Sequence, residues 1–168
     1  MIIRMEKSRI VSVTDEIGIE PVPPERSGEV AEMAAPIFRE VYALNPKERV
    51  DWFLSTYQSP ESIMEQIQSG TVYAFIVLHG ERIGYVAYEK DSEGMRLSKL
   101  YLLKEYRGLG IGGHILDHVE NEARKAGIGS VHLEVNQFKT RSQEFYMKRG
   151  YVESDRMDDY RIIMRKSL

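Results

Sequence analysis

The chain has 168 residues, of which 42% are hydrophobic and 29% are charged, and its formal net charge is −3. This length is typical of one domain with a sizeable core, and the weak negative charge gives no reason to expect nucleic acid as a partner. The absence of cysteine excludes a disulfide scaffold, a zinc–cysteine site and a thiol nucleophile. The first residues lack the apolar core of a signal peptide and no apolar run is long enough to span a membrane, so we expect a cytoplasmic protein.

The first part of the chain predicts a strand and a long helix. Residues 1–15 show no pattern and are interpreted as an N-terminal extension, or an extra edge strand, of a single domain over residues 1–168. Alternating apolar residues over 17–22 predict a short strand. Apolar residues at helical spacing predict a helix over 25–44. Pro36 lies inside this helix and should kink or divide it, because an interior proline removes a helical hydrogen bond.

Two further helices have clear N-terminal signals. Asn45-Pro46 places a capping residue before a proline at the first helical position, and Ser59-Pro60 repeats the arrangement. Gly70 is expected to end the second of these helices. This region carries four aromatic side chains, which either line a substrate site or fill the first layer of the core: Tyr42, Trp52, Phe53 and Tyr57.

Three strands are predicted next. They cover residues 71–78, 82–89 and 95–103, which are rich in aromatic and β-branched residues. The short connections between them predict an antiparallel meander. A helix over 111–126 then leads to a strand over 129–136. That strand should lie parallel to the third strand of the meander, since it follows a helical crossover.

The C-terminal part predicts a short helix and a closing pair of strands. Thr140-x-x-Gln143 matches a capping box, and the helix that it opens is expected to run to Arg149. Residues 151–154 and 160–165 predict the two closing strands.

A glycine-rich run connects the third strand of the meander to the long helix, with the sequence Tyr106-Arg107-Gly108-Leu109-Gly110-Ile111-Gly112-Gly113. Glycines let the backbone turn tightly and expose several N–H groups in one direction. The following helix adds its own unpaired amides and the positive end of its dipole. Together these features predict an anion site, and a diphosphate is the anion that fits best.

The same run matches the dinucleotide fingerprint of the Rossmann fold through Gly108, Gly110 and Gly113. The order of the elements argues against that interpretation. A Rossmann domain places its fingerprint at the first strand–helix turn of a parallel sheet, whereas here it follows an antiparallel meander. The ribose-binding acid is also missing from the end of the next strand, because Glu134 lies inside that strand and Asn136 ends it.

Two motifs in this order resemble the GCN5-related N-acetyltransferase (GNAT) family. Residues 107–112 fit the family pattern Arg/Gln-x-x-Gly-x-Gly/Ala after its fourth strand, and Phe145-Tyr146 with Gly150-Tyr151 fits its aromatic-Tyr and Gly-aromatic pairs. The resemblance covers roughly residues 17–166. It implies an α/β fold whose mixed, mostly antiparallel central sheet has a splayed parallel strand pair and flanking helices.

The resemblance implies acetyl-CoA as the cosubstrate. Its diphosphate would lie on the backbone amides of the glycine run, and its pantetheine arm would pair with the third strand of the meander. Lys139 replaces an asparagine that is frequent in the family, and it is expected to meet a phosphate instead. The implied cofactor-binding residues are Leu100, Tyr101, Leu102, Arg107, Gly108, Leu109, Gly110, Ile111, Gly112, Gly113 and Lys139.

The implied reaction is an acyl transfer in which a primary amine attacks the thioester directly. The amine must lose a proton and the leaving thiolate must gain one. By resemblance Tyr146 is the acid; the alternative is an aromatic side chain that only packs. Glu134 is the predicted base by position, with Tyr101, His132 or a chain of waters as alternatives. Alternatively, Glu134 has no catalytic role and is a salt-bridged residue of the strand.

The helical stretch over 42–69 resembles the polyamine-acetylating branch of the family, and Asp51, Asp158 and Asp159 would attract a small polycationic amine. Ser98 departs from that branch, which often has an acid on its fourth strand. The alternative acceptor is a protein or peptide amine, and the competing class is a non-catalytic acetyl-CoA-binding module. We expect no nucleic acid or membrane partner, and the sequence leaves a homodimer open.

His114 and His118 lie four residues apart, a spacing on a helix that can hold a metal ion. No third ligand is evident in the sequence. We therefore interpret the pair as part of a solvated helix face and expect no metal.

Overall fold

A computed structural model describes residues 16–168 of the chain, so the interpretation of residues 1–15 lies outside the described residues. The helices are α1 (Ser27–Val41), α2 (Lys47–Tyr57), α3 (Pro60–Gln68), α4 (Ile111–Lys125) and α5 (Thr140–Met147). The strands are β1 (Ile17–Pro21), β2 (Val72–Leu78), β3 (Glu81–Asp91), β4 (Gly94–Leu102), β5 (Ser130–Asn136), β6 (Val152–Arg156) and β7 (Arg161–Ser167). Short 3-10 turns occupy Pro24–Arg26 and Lys104–Tyr106.

The described strands form one seven-stranded sheet in the order β1-β2-β3-β4-β5-β7-β6. β1 pairs antiparallel with β2, and β7 pairs antiparallel with both β5 and β6. β4 and β5 run parallel, with Met95 opposite Val131 and Arg96 opposite His132. The predicted mixed, mostly antiparallel sheet with one parallel pair is therefore confirmed, and the repeated parallel units of a Rossmann domain are excluded.

The chain divides into two compact units. Among the described residues, the first unit contains residues 16–87 and Lys99–Ile115, and the second contains Tyr88–Ser98 and Leu116–Leu168. β3, β4 and α4 each contribute residues to both units. The prediction of a single domain stays a prediction.

The core of the first unit contains buried side chains from α1, α2 and α3 and from β2 and β3. On α1 the buried apolar residues recur at helical spacing, and they are Val30, Ala34, Ile37 and Phe38. Each large apolar side chain that is fully buried contributes about 1.5–3 kcal/mol to stability. The buried hydroxyl groups of Tyr73 and Tyr85 lie 3.0 and 2.7 Å from the side-chain amide of Gln58, so their burial leaves them hydrogen-bonded.

In the second unit the buried positions follow the periods of a helix and of strands. α4 buries one face there, and β5 and β7 bury alternate apolar residues. These side chains are Leu116, Val119, Ala123, Val131, Leu133 and Met164. Across residues 16–168, none of the helices combines the length and the apolar character needed to cross a bilayer.

Two details of the first helices differ from the prediction. α1 continues through Pro36, so the expectation that this proline divides the helix is wrong. Proline leaves the carbonyl group four residues earlier, at Glu32, without its helical partner, but both side chains are exposed and water can reach that carbonyl. α2 begins at Lys47, one residue later than predicted, and Pro46 precedes it without a side-chain cap.

The predicted capping box of the last helix is also wrong. Thr140 is already the first residue of α5, and no side chain caps the helix. The side-chain amide of Gln143 donates instead to the carbonyl oxygens of Asn136 and Gln137, at 3.1 and 2.8 Å. These bonds attach the start of α5 to the end of β5. The helix ends earlier than predicted, at Met147.

Candidate functional site

The predicted site residues fall in both units, and the glycine loop, residues 106–113, belongs to the first. Gly108 and Gly110 have φ angles of +75° and +84°, in the left-handed region that favours glycine. A Cβ atom built on either residue would meet nothing within 4 Å. The backbone conformation therefore requires these two glycines, and the space beside them is open to a ligand.

The glycine loop leads directly into α4. The carbonyl oxygen of Gly110 accepts a hydrogen bond from the N–H of His114 at 3.2 Å, which makes Gly110 the residue that opens the helix. The first turn of a helix has N–H groups without intrahelical acceptors, and here this turn begins at Ile111 and Gly112. The side chain of Ile111 is fully buried and anchors this end of the helix. The arrangement suits a phosphate group.

Arg107 attaches the glycine loop to α1. Its guanidinium group donates to both carboxylate oxygens of Glu40, at 3.1 and 2.6 Å, and its Nε donates to the carbonyl oxygen of Leu102 at 3.0 Å. The sequence suggested that Arg107 contacts the cofactor. The contacts within the first unit give it a further task, which is to fix the start of the glycine loop.

The end of β4, over residues 100–102, carries the predicted backbone contacts to the pantetheine arm. β3 comes very close to it, because a Cβ atom added to Gly84 would overlap the carbonyl oxygen of Tyr101. The ring of Tyr101 packs against Phe38 with a centroid distance of 4.8 Å, and its hydroxyl lies 3.0 Å from that of Tyr42. Glycine at position 84 thus allows the backbone of β4 to approach β3 this closely.

Tyr146, the predicted acid, lies on α5 in the second unit and is half-buried. Its ring stacks with that of Phe145 at a centroid distance of 5.0 Å and meets the ring of Tyr151 edge-on at 5.8 Å. The two aromatic motifs that the sequence suggested are therefore in contact. This contact restricts the position of the Tyr146 ring, while its role as an acid stays a prediction.

A buried carboxylate holds Tyr151. The Tyr151 hydroxyl donates to Oε2 of Glu120 at 3.1 Å, and Nζ of Lys166 donates to Oε1 of the same group at 2.7 Å. Glu120 is only 2% exposed. Burial and the adjacent carboxylate raise the pKa of Tyr151 well above its ordinary value, so its hydroxyl stays protonated and remains a donor.

Glu134, the predicted base, lies on β5 in the second unit. Its two carboxylate oxygens accept from Arg96 on β4, at 3.2 and 2.8 Å, and its side chain is 20% exposed. Arg96 also donates to Glu89 at 2.8 Å. Glu134 therefore forms a salt bridge, as in the interpretation without a catalytic role, and its role as a base stays a prediction.

His132, an alternative base, is 6% exposed on the same strand. Its Nε2 lies 2.9 Å from the Oδ2 atom of Asp91. Nδ1 has no hydrogen-bond partner among the described residues. When Nε2–H donates to the carboxylate, Nδ1 carries the lone pair of the neutral ring and can accept a proton.

Two of the three acids that were expected to attract a polycation, Asp51 and Asp158, form ion pairs within their own units. Asp51 pairs with Lys47 at 2.9 Å on the exposed face of α2. Asp158, in the loop between β6 and β7, accepts from Nε and NH2 of Arg161 at 3.0 and 2.8 Å. Asp159 is exposed in that loop.

Two other predicted sites give less structural information. Lys139 precedes α5, and its backbone N–H donates to the carbonyl oxygen of Asn136 at 3.0 Å, so its contact with a phosphate stays a prediction. Within residues 16–168 no group of three His, Asp or Glu side chains is arranged to hold a metal ion. His114 and His118 therefore lack a third ligand in the described part of the chain.

Residues 43–160 match the family model described as the acetyltransferase (GNAT) domain, which is more than half of the chain. The chain belongs to the GNAT family. The family predicted from the glycine loop and the aromatic motifs is therefore confirmed.

Known GNAT proteins share part of the sequence and most of the fold. Uncharacterised N-acetyltransferases of Mycobacterium bovis and Mycobacterium tuberculosis are 38% identical over 73 residues, which cover 43% of this chain and 47% of each relative. The chain thus matches about half the length of these curated relatives. Among solved structures, the PaiA N-acetyltransferase of Thermoplasma acidophilum in complex with coenzyme A is 24% identical, with a TM-score of 0.80 over 90% of this chain and 99% of that one. A GCN5-related N-acetyltransferase of Rhodopseudomonas palustris is 21% identical, with a TM-score of 0.70 over 90% and 95%.

Three residues that contact the predicted site residues of this GNAT domain were not predicted from the sequence. Glu40 and Glu120 act through partners far away in the chain, and no local pattern marks either of them. Gly84 did carry a signal, because an isolated glycine inside a strand pattern indicates a close approach of another backbone.

Proposed function

We propose that the chain transfers an acetyl group from acetyl-CoA to a primary amine. The observation that carries this proposal is the glycine loop, in which Gly108 and Gly110 turn the backbone toward the first turn of α4. Backbone N–H groups at a helix N-terminus are suited to a diphosphate, and coenzyme A carries one. The names of the mycobacterial relatives and the coenzyme A bound to the Thermoplasma protein support the same donor.

The residues of the chain suit the remaining parts of acetyl-CoA. The backbone of residues 100–102 would bind the pantetheine arm, and an N–H there would polarise the thioester carbonyl group. Lys139 supplies a positive charge for a phosphate. These assignments extend the family resemblance to named positions and are part of the proposal.

Tyr146 is proposed to give its hydroxyl proton to the sulfur as the C–S bond breaks and the new C–N bond forms. The base takes the proton that the amine loses. Glu134 is the proposed base: Arg96 occupies part of its acceptor capacity, but a carboxylate has about four lone-pair sites, so a bound water can still deliver a proton to it. Nδ1 of His132 is the alternative acceptor.

Thermal unfolding with acetyl-CoA, and with NAD as the control, tests the donor. A ligand at 100 times its dissociation constant stabilises the folded state by about 2.7 kcal/mol, which is a shift of several degrees. We expect this shift with acetyl-CoA and none with NAD. The absence of a shift with acetyl-CoA would contradict the proposal.

Release of coenzyme A in the presence of amines tests the reaction. Spermidine and a lysine-containing peptide represent the polyamine and peptide acceptors that the sequence suggested, and both acceptors stay predictions. Stabilisation by acetyl-CoA without coenzyme A release for any amine would instead support a non-catalytic binding module.

A further inference from the structure

Gly84 is required by a close approach of two strands in the first unit. A Cβ atom added to it would overlap the carbonyl oxygen of Tyr101 and lie 3.0 Å from the Cα atom of Leu102. Both are backbone atoms, which no change of rotamer moves aside. The φ angle of Gly84 lies outside the left-handed region, so its backbone conformation alone would accept alanine. The position of one peptide group, between Tyr101 and Leu102, therefore excludes a side chain at this site.

This peptide group has a defined direction. The carbonyl oxygen of Tyr101 faces Gly84, so it points from β4 toward β3. The peptide bond is trans, and in a trans peptide the C=O and N–H bonds point in opposite directions. The N–H of Leu102 therefore points away from β3, toward the other edge of β4. The N–H of Leu100 points the same way, because the orientation repeats every two residues along a strand.

The backbone on both sides of this peptide group is held in place. On one side, the ring of Tyr101 packs against Phe38 with a centroid distance of 4.8 Å. On the other side, the N–H of Leu103 donates to the carbonyl oxygen of Ile83 at 2.8 Å. A Cβ atom at position 84 would therefore turn the peptide plane between these two fixed points, and the N–H of Leu102 would turn with it.

The proposed function gives this direction a use. Because β3 covers one edge of β4, a ligand that pairs with the backbone of residues 100–102 reaches it from the other edge. The pairing of β4 with β5 in the second unit lies at the start of β4, at Met95 and Arg96. An N–H group that is already oriented stabilises the negative charge on a thioester oxygen without reorganisation during the reaction.

We infer that Gly84 is a positioning residue for acetyl transfer, because it fixes the N–H of Leu102 in the direction of the thioester oxygen. The inference rests on the proposed function, which places the thioester at this part of β4. Gly84 itself touches neither the donor nor the acceptor. It acts through the peptide group that its missing side chain leaves room for.

Amide resonances of the full chain, labelled with ¹⁵N, test the direction of the Leu102 N–H without a substitution. Coenzyme A has the diphosphate and the pantetheine arm of acetyl-CoA but no acetyl carbonyl group. Both ligands should shift the Leu100 amide alike, through the pantetheine arm. Only acetyl-CoA should move the Leu102 amide proton to lower field, because only its thioester oxygen accepts that hydrogen bond. The same Leu102 shift with both ligands, no Leu102 shift, or a difference confined to Leu100 would overturn the inference.

Gly84→Ala tests the positioning role. It should lower kcat by about 10- to 10³-fold, the upper figure being the cost of removing one oxyanion donor, and keep the affinity for coenzyme A measured by calorimetry. Gly18→Ala, on β1 of the same unit, is the matched control, because a Cβ atom there would have an ordinary contact of 3.8 Å with Val77. It should keep both kcat and affinity. Unchanged kcat in folded Gly84→Ala would contradict the inference, and if this variant does not fold, the amide titration of the wild-type protein decides.

A double variant separates the backbone from side-chain crowding. The added Cβ atom would also lie 3.0 Å from Cδ2 of Leu102, and Leu102→Ala removes that atom while it keeps the N–H group. Gly84→Ala combined with Leu102→Ala should still have the low kcat of Gly84→Ala, since the overlap with the Tyr101 carbonyl oxygen remains. Recovery of the kcat of Leu102→Ala in the double variant would assign the effect to side-chain crowding and overturn the inference.

The inference and the proposed function fail in different ways. If acetyl-CoA stabilises the protein and coenzyme A is released, but Gly84→Ala keeps its kcat, the proposed function holds and the role of Gly84 is wrong. If acetyl-CoA neither stabilises the protein nor shifts the amides of residues 100–102, the proposed function fails, and the inference fails with it.

Discussion

The glycine loop of the first unit and Tyr146 of the second unit are positioned by different kinds of interaction. The loop takes its conformation from the backbone, through the positive φ angles of Gly108 and Gly110. Tyr146 is held by side chains, since its ring meets Tyr151, whose hydroxyl is bound to the buried Glu120. Backbone-coded geometry depends on a few consecutive residues, whereas side-chain support depends on residues that only the fold brings together.

Replacement of the Tyr146 hydroxyl should have the largest effect, because it removes the proposed acid and keeps the ring for its contacts with Phe145 and Tyr151. Tyr146→Phe should lower kcat by about 10²- to 10⁴-fold, the range of general acid catalysis, and leave acetyl-CoA affinity unchanged. The measurement is pre-steady-state or steady-state coenzyme A release under conditions where chemistry limits the rate. Tyr88→Phe, in the same unit, is the control for loss of a tyrosine hydroxyl. Unchanged turnover in Tyr146→Phe would contradict the acid role.

A charge placed in the first turn of α4 should have the next largest effect, and it acts on binding. Gly112→Asp opposes the negative diphosphate, so acetyl-CoA affinity should fall by about 100-fold or more. The fold should be retained, because an acidic residue suits the first turn of a helix. Calorimetry of acetyl-CoA binding measures the effect.

Gly28→Asp is the matched control for Gly112→Asp. Gly28 lies in the first turn of α1, and a Cβ atom there would meet nothing within 4 Å. This variant should bind acetyl-CoA normally. Normal affinity in Gly112→Asp as well would place the diphosphate elsewhere.

The difference between backbone and side-chain support also explains which features the sequence could predict. The strands, the parallel β4–β5 pair and the glycine loop follow from local period, from glycine positions and from the handedness of the crossover. Tyr146 is predicted as the acid because it belongs to a short motif with Phe145, and that role stays a prediction. Each of these signals lies within a few consecutive residues.

Features that depend on distant residues were not predicted. The pairing of Arg107 with Glu40 spans 67 positions, and that of Tyr151 with Glu120 spans 31. The capping box at Thr140 failed for a related reason, since the amide of Gln143 finds carbonyl groups at the end of β5 instead. When a side chain can reach several hydrogen-bond partners, the packed structure determines which partner it binds, and sequence spacing alone does not.

Removal of the Glu120 carboxylate tests whether distant support matters for Tyr146. Glu120→Ala leaves the Tyr151 hydroxyl and the Lys166 ammonium without their acceptor, so unfolding free energy should fall by about 1–3 kcal/mol, a few degrees in Tm. If Glu120 positions Tyr146 through Tyr151, kcat should also fall, by about tenfold for a loss of 1.4 kcal/mol, while acetyl-CoA affinity is kept. Glu120→Gln retains an acceptor for Tyr151 and should recover part of kcat.

Glu122→Ala is the control for Glu120→Ala on the same helix. Glu122 pairs with Lys125 at 3.2 Å at the surface, where ion pairs contribute little. It should change neither Tm nor kcat appreciably. A lower Tm in Glu120→Ala with unchanged kcat would assign Glu120 to stability alone and remove it from the support of Tyr146.

The smallest effect is expected at the surface of the first unit, where Glu29 accepts from Arg26 and Arg82. Hydrogen bonds from Arg26 and then Arg82 lower the pKa of Glu29 from 4.5 to about 2. The ionised group is thus favoured in the folded state, so its contribution is present above the ordinary pKa and is lost as the pH falls from 4.5 toward 2. Glu29→Gln should flatten the acid limb of Tm against pH, and Glu32→Gln, at an exposed position of the same helix, should not. Parallel acid limbs in the wild-type protein and Glu29→Gln would mean that solvent screens these ion pairs completely, and the packing of α1 would then hold this edge of the first unit without them.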